Sequence, residues 1–182
     1  LLKYSRLERQ DLPKQRFNLL EMVGSLVMDR VAHAAGPKPS IHVDLPFADL
    51  YGEPVSIRQA LANLLDNAAK FTRPQHASDI RIGGKTTDRE RIVWVKDTGI
   101  GFDADQAHRI FGLFERLHGP GEYEGTGVGL AIVQMVMDKH GGRVWAESKP
   151  GHGSTFFLSF PNGEEAVSSE LATTRTATGD GF

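Results

Sequence analysis

The stretch Asn63-Leu64-Leu65-Asp66-Asn67-Ala68-Ala69-Lys70-Phe71 decides how this chain is read. Asn63, Asn67 and Lys70 recur at i, i+4 and i+7, so a helix carries them on one narrow stripe with Gln59 beside them. Ile57, Leu61, Leu64, Leu65 and Ala68 then form the buried flank. The spacing predicts a helix over 55–71, ended by Arg73-Pro74 because the residue before a proline disfavours the helical region. An amide oxygen is a neutral, hard ligand suited to Mg²⁺, which keeps several waters and draws much of its charge balance from substrate phosphates. Lys70, one turn on, would meet a phosphate oxygen. The plain alternative is an amphipathic helix whose wet face happens to carry Asn, itself a mediocre helix former.

Working outward, 1–10 reads as the last turns of a helix broken at Leu12-Pro13. Residues 17–19 suit a short strand and 20–35 a helix stopped by Gly36-Pro37; 41–45 suits a strand. Past the central helix, 79–85 and 91–96 read as strands, 104–114 as a third helix and 128–140 as a fourth, closed by Gly141-Gly142. Two more strands, 143–148 and 154–160, look like a terminal hairpin. From Asn162 on, Ser and Thr accumulate and apolar periodicity is lost, the signature of a disordered tail or linker. This order predicts an α+β fold, a two-layer sandwich with a mixed sheet covered on one face by helices. The expected units are 1–13 as helix end and connector, 14–161 as the folded domain and 162–182 as tail.

Bulk composition narrows the classes. The 182 residues are 40% hydrophobic, enough for a real core. Twenty-one Lys and Arg against 23 Asp and Glu leave no basic field to bind a phosphate backbone, which argues against nucleic acid as a partner. Cysteine is absent, which suits a reducing cytoplasm and removes thiolate metal sites. Charges interrupt every apolar run before the roughly 18 to 20 residues of a membrane span, so no membrane contact is expected from these residues. Because the chain opens on Leu1, a longer protein is expected, and a membrane anchor elsewhere in it stays open.

Two glycine segments follow the stripe. The strand over 91–96 runs into Asp97-Thr98-Gly99-Ile100-Gly101, where Gly99 and Gly101 let the backbone approach a flat ligand. A buried Asp97 at the strand's exit could accept the exocyclic N–H of adenine and would repel the carbonyl of guanine. The alternative is a turn capped by Asp. Gly99, Gly101 and Ala104 also fit a dinucleotide fingerprint, but no prompt parallel strand with a ribose-binding acid follows. The second segment, Gly125-Thr126-Gly127-Val128-Gly129, opens a helix whose free N–H groups suit a phosphate chain; otherwise it is a flexible helix entry. The preceding 119–124 could close as a lid. Gly84-Lys85-Thr86 fails as a P-loop because Asp79 stands where that motif needs Gly. The seven His residues show no metal-ligand spacing.

Residues 63–71 (NLLDNAAKF), 97–101 (DTGIG), 110–114 (IFGLF), 125–129 (GTGVG) and 153–156 (GSTF) occur in one order. That order resembles the catalytic domain of sensor histidine kinases, in the superfamily that also holds gyrase, Hsp90 and MutL ATPases. Residues 114–133 are most similar to kinases attached to phytochrome or PAS modules, and 2–7 resembles the end of a dimerisation hairpin. The resemblance implies ATP and Mg²⁺ as cofactors, with Asn67 on Mg²⁺ and Asn63 and Lys70 on the phosphates. It also implies Asp97 on adenine, Gly99 and Gly101 around the base, Phe114 bracing the lid and Arg116 near the γ-phosphate. Gly125, Gly127 and Gly129 would wrap the phosphates, and Thr155 would support the adenine site.

In the superfamily's ATPases a Glu that activates water takes the place of Asn63. An amide has no useful basicity, which favours transfer to a protein nucleophile over hydrolysis. The family's acceptor His is followed by Glu or Asp, and none of His33, His42, His76, His108, His118, His140 and His152 is. The acceptor is therefore expected upstream, on the chain's own dimerisation and phosphotransfer domain. The resemblance further implies a homodimeric full-length protein and a response regulator receiver domain downstream. Competing readings are a serine kinase of the anti-sigma-factor type, disfavoured by the hairpin remnant, and a nucleotide-responsive binding module without catalysis.

Overall fold

The computed structural model describes residues 13–33, 38–72, 79–115 and 126–162. In chain order these form β1 (Gln15–Asn18), α1 (Leu19–Ala32), β2 (Ser40–Asp44), β3 (Asp49–Gly52), α2 (Pro54–Lys70), β4 (Asp79–Thr86) and β5 (Glu90–Asp97). A single 3₁₀ turn (Ala104–Gln106), α3 (Gly129–Lys139), β6 (Arg143–Ser148) and β7 (Ser154–Pro161) complete them.

The first two helices start at side-chain caps. Asn18 caps α1 by accepting the Glu21 N–H at 3.0 Å. Glu53 caps α2, accepting from Val55 N–H at 2.8 Å and Ser56 N–H at 2.6 Å, with Pro54 set in the first turn where its missing N–H costs nothing. The five-stranded sheet runs β2-β4-β5-β7-β6; β2 and β4 are parallel and every other pair is antiparallel. The α+β sandwich is thus as expected. Ile57, Leu61, Leu64 and Leu65 of α2 and Val133, Val136 and Met137 of α3 are buried with Ile80, Ile82, Val93, Val95, Leu158 and Phe160 of the sheet. Among the described residues the opposite sheet face carries no helix, and there Trp145 stacks on Phe157 at 4.9 Å between ring centroids.

Two expectations are corrected. No α-helix spans 104–114. After Ala104–Gln106 the chain makes successive i to i+3 turns, with Arg109 N–H on Gln106 O, Gly112 N–H on Arg109 O and Glu115 N–H on Gly112 O. Core packing overrides the local helical pattern here: Phe102 and Phe111 both pack on Phe156, at 6.3 and 6.4 Å between centroids. The second correction is β3, which the sequence reading lacked. It pairs antiparallel with β1, apart from the main sheet. The expected units 1–13 and 162–182 fall almost wholly outside the described residues.

Candidate nucleotide-binding site

Asp97 closes β5 and is only 5% exposed. Its Oδ1 accepts the N–H of Gly99 at 2.8 Å and of Ser154 at 3.2 Å. Among the described residues nothing bonds to Oδ2. Burial pushes the carboxyl pKa above its usual value, against the pull of those two amides. One oxygen is thus locked by backbone while the other is left for a donor.

The glycines of this segment are required by close approach. A Cβ on Gly99 would stand 2.5 Å from the Phe71 carbonyl oxygen and 2.8 Å from Asp97 Oδ1. Gly101 has φ of 66°, and a Cβ there would run into the Lys149 carbonyl. Ile100 N–H donates to Phe71 O at 3.0 Å. The segment is therefore laid on the end of α2, which brings Asp97 to the helix that carries the amide stripe.

Within that stripe the two amides differ. Asn63 Nδ2 donates to the Gly129 carbonyl at 3.1 Å, and its Oδ1 accepts from Gln59 at 3.3 Å. Asn67 is half-buried, and its side-chain amide bonds to none of the described residues. The Lys70 ammonium lies 4.5 Å from the Phe71 ring centroid. Among the described residues no group of His, Asp and Glu could hold a metal ion. One neutral amide free to bind, with phosphate oxygens making up the rest, is a donor set that fits Mg²⁺ and not a cation caged by protein carboxylates.

Gly127 has φ of 70°, and a Cβ there would come 2.9 Å from the Phe114 Cα. Phe114 N–H donates to Gly127 O at 3.1 Å, and Phe114 itself sits at φ of 65°, a rare state for a bulky residue. The second glycine segment and the aromatic segment before it are thus pinned together. Val128 precedes α3 without a side-chain cap, so the first-turn N–H groups remain open to a ligand. Arg116 and Gly125, with the lid over 119–124, lie outside the described residues.

Thr155 is not brought to Asp97. It pairs with Lys96 and Glu147 and alternates with buried Ser154 and Phe156, so it occupies the helix-free sheet face. The residue that meets Asp97 is Ser154, through its N–H. Apolar parity pointed to it, because Phe156, Leu158 and Phe160 share its face, but Phe157 on the other face blurred that signal.

Of the histidines, His33, His42, His108 and His152 are exposed, and His76 and His118 lie outside the described residues. His140 is buried; its Nδ1 meets the Val136 carbonyl at 2.6 Å and its Nε2 accepts the Glu53 N–H at 2.9 Å. It fastens the end of α3 to the start of α2.

A model of the family described as "Histidine kinase-, DNA gyrase B-, and HSP90-like ATPase" matches residues 52–164, more than half of the chain. The chain belongs to this ATPase family. Cyanobacterial phytochrome A of Nostoc sp. is 34% identical over 163 residues, covering 90% of this chain and 21% of that protein. The phytochrome-like protein Cph1 of Synechocystis sp. is 43% identical over 112 residues, 60% of this chain and 14% of that protein. Among solved structures, full-length ShkA in complex with AMPPNP aligns with a TM-score of 0.74 at 25% identity, over 88% of this chain and 34% of that one. The chain thus spans about a fifth or less of these curated relatives. In this family member no described helix is long and apolar enough to cross a membrane.

Proposed function

We propose that this chain is the catalytic domain, over 14–161, of a two-component sensor histidine kinase, which binds Mg-ATP and passes the γ-phosphoryl group to a histidine on a separate dimerisation domain. The observation that carries the reading is at position 63, where an amide, tied to Gly129 and Gln59, stands in a site otherwise suited to ATP. No base at that position can take a proton from water, so bound ATP waits for a nucleophile from a protein.

Asp97 Oδ2 accepts the adenine amino group, and Gly99 and Gly101 leave space for the base. Asn67 holds Mg²⁺, which neutralises phosphate charge when bound. Lys70, Asn63 and Arg116 contact the phosphates, Gly125, Gly127 and Gly129 wrap them, and Phe114 braces the lid. An acceptor imidazole nitrogen bonds to the γ-phosphorus in line as the bridging oxygen departs with ADP. In the full-length protein the partners are its own dimerisation and histidine phosphotransfer domain, a second copy, and a response regulator receiver domain. Catalysis takes place on the cytoplasmic side.

Incubated alone with γ-labelled ATP and Mg²⁺, the chain should gain essentially no acid-labile phosphate and hydrolyse ATP slowly. Its upstream hairpin, added in trans, should become labelled because docking supplies proximity and alignment. Efficient self-labelling, or brisk turnover without an acceptor, would move the assignment to an ATPase; labelling of a serine would move it to the anti-sigma-factor type of kinase.

A further inference from the structure

Three segments converge on Asp97, and sheet pairing stops where they meet. The β5–β7 ladder ends at the pair Lys96 and Thr155, and the β6–β7 ladder ends at Ser148 and Ser154. Ser154 thus stands at the last pair and Gly99 beyond the ladders, where the backbone is held by turn bonds such as Gly151 N–H on Ile100 O at 2.6 Å and Lys149 N–H on Gly153 O at 3.4 Å.

One side chain bridges the gap. Ser148 Oγ accepts the Phe102 N–H at 2.8 Å, donates to the Gly153 carbonyl at 2.9 Å and lies 3.1 Å from Ser154 Oγ. A hydroxyl has a single proton, and here it is committed to Gly153, so Ser154 must be the donor in the third bond. Phe102 continues the glycine segment that contains Gly99, and Gly153 and Ser154 open β7. The same oxygen therefore holds both strips of backbone whose N–H groups lock Asp97. Gly153 leaves no slack in that contact: its φ is 82°, and a Cβ on it would collide with the Asp97 carbonyl.

We infer that Ser148 is a positioning residue for base recognition, acting through Phe102, Gly153 and Ser154 to aim the free oxygen of Asp97 at the 6-amino group. This rests on the proposal that Asp97 reads adenine. The bonds of Ser148 Oγ go to the backbone of Phe102 and Gly153 and to the Ser154 hydroxyl. Its removal strands the Phe102 N–H and takes one of two donors from the Gly153 carbonyl, which keeps the Lys149 N–H at 3.4 Å. The two strips then stay joined through Gly151 N–H on Ile100 O at 2.6 Å, and the amides that fix Oδ1 are held less firmly.

The test measures ATP and purine riboside triphosphate, which lacks the 6-amino group, by calorimetry on the whole chain with Mg²⁺. Wild type should prefer ATP by about tenfold or more, the worth of one hydrogen bond to a charged acceptor. Ser148→Ala should weaken ATP binding about tenfold and the analogue less than about threefold, so the preference shrinks, while Ser148→Thr, which keeps the hydroxyl, should restore it. If the Ala variant shows no thermal unfolding transition, Ser148→Cys takes its place, with a reduced preference expected. An unchanged preference in the Ala or Cys variant would overturn the role of Ser148 and leave that of Asp97 standing. A wild type indifferent to the 6-amino group would overturn both.

Discussion

Replacing Asp97 with Asn isolates base recognition from folding, because the surroundings decide which way the new amide must face. Oδ1 sits between two N–H donors, from Gly99 at 2.8 Å and Ser154 at 3.2 Å. An amino group turned toward them would set donor against donor, so the oxygen of the introduced amide stays there and its NH₂ takes the place of Oδ2. That puts a donor opposite the adenine amino group. The loss is one charge-assisted hydrogen bond plus an unpaired donor, about 1.5 to 3 kcal/mol, or roughly a 10- to 150-fold rise in Kd for ATP. Stability should move the other way. Burial raises the Asp97 pKa in the folded state, so its ionised form disfavours folding once pH rises above the usual carboxylate range. The uncharged variant should melt no lower than wild type near pH 7. Calorimetry for ATP and a thermal melt of the ligand-free protein are the two measurements. Unchanged affinity in a folded variant would refute the assignment, as would equal binding of GTP by wild type.

Asn67→Ala should weaken Mg²⁺-dependent ATP binding while the melting temperature stays put, since its amide bonds to no described residue; a normal Mg²⁺ requirement would return the stripe to an ordinary wet helix face. Gly101→Ala should cost about 2 kcal/mol or more in urea denaturation, because it combines φ of 66° with a collision against the Lys149 carbonyl; a loss under about 0.5 kcal/mol would count against the close approach. His140 should make the fold acid-sensitive: burial lowers its pKa from 6.5, so its stabilisation is complete above that value and disappears as pH falls through the lowered one. His140→Gln, which keeps an acceptor near the Glu53 N–H but does not titrate, should flatten the fall in melting temperature as pH drops below 6.5.

The parts of this site legible in the sequence are those set by local periodicity. The i, i+4, i+7 spacing of Asn63, Asn67 and Lys70 needed only a helix to be meaningful, and 55–71 is helical but for its last residue. Asp97 was visible because a strand pattern ended on it beside two glycines. What escaped was set by tertiary contact. Thr155 and Ser154 differ by one position, and a strand's parity reverses the face at every residue; Phe156, Leu158 and Phe160 favour the face of Ser154, but Phe157 on the other face blurs that parity until the strand is placed in the sheet. Over 104–114 the apolar spacing suited a helix, yet Phe102 and Phe111 are drawn onto Phe156 and the backbone turns instead. β3 is four residues long, too short for alternation to announce it.

The contacts of Asn63 join α2 to the start of α3. Its amide nitrogen holds the carbonyl of Gly129, the first residue of α3, so the start of α3 is moored to the helix that carries Asn67 and Lys70. A carboxylate at 63 could not donate that bond, and it would stand against the Gly129 carbonyl as acceptor to acceptor. The amide therefore does more than withhold a base. It fixes the spacing between the stripe of Asn63, Asn67 and Lys70 and the N-terminus of α3, and a change to Glu would replace that tie with repulsion between two acceptors. The proposed retention of ATP for a protein nucleophile and the fixed spacing of α2 and α3 would then rest on the same side chain.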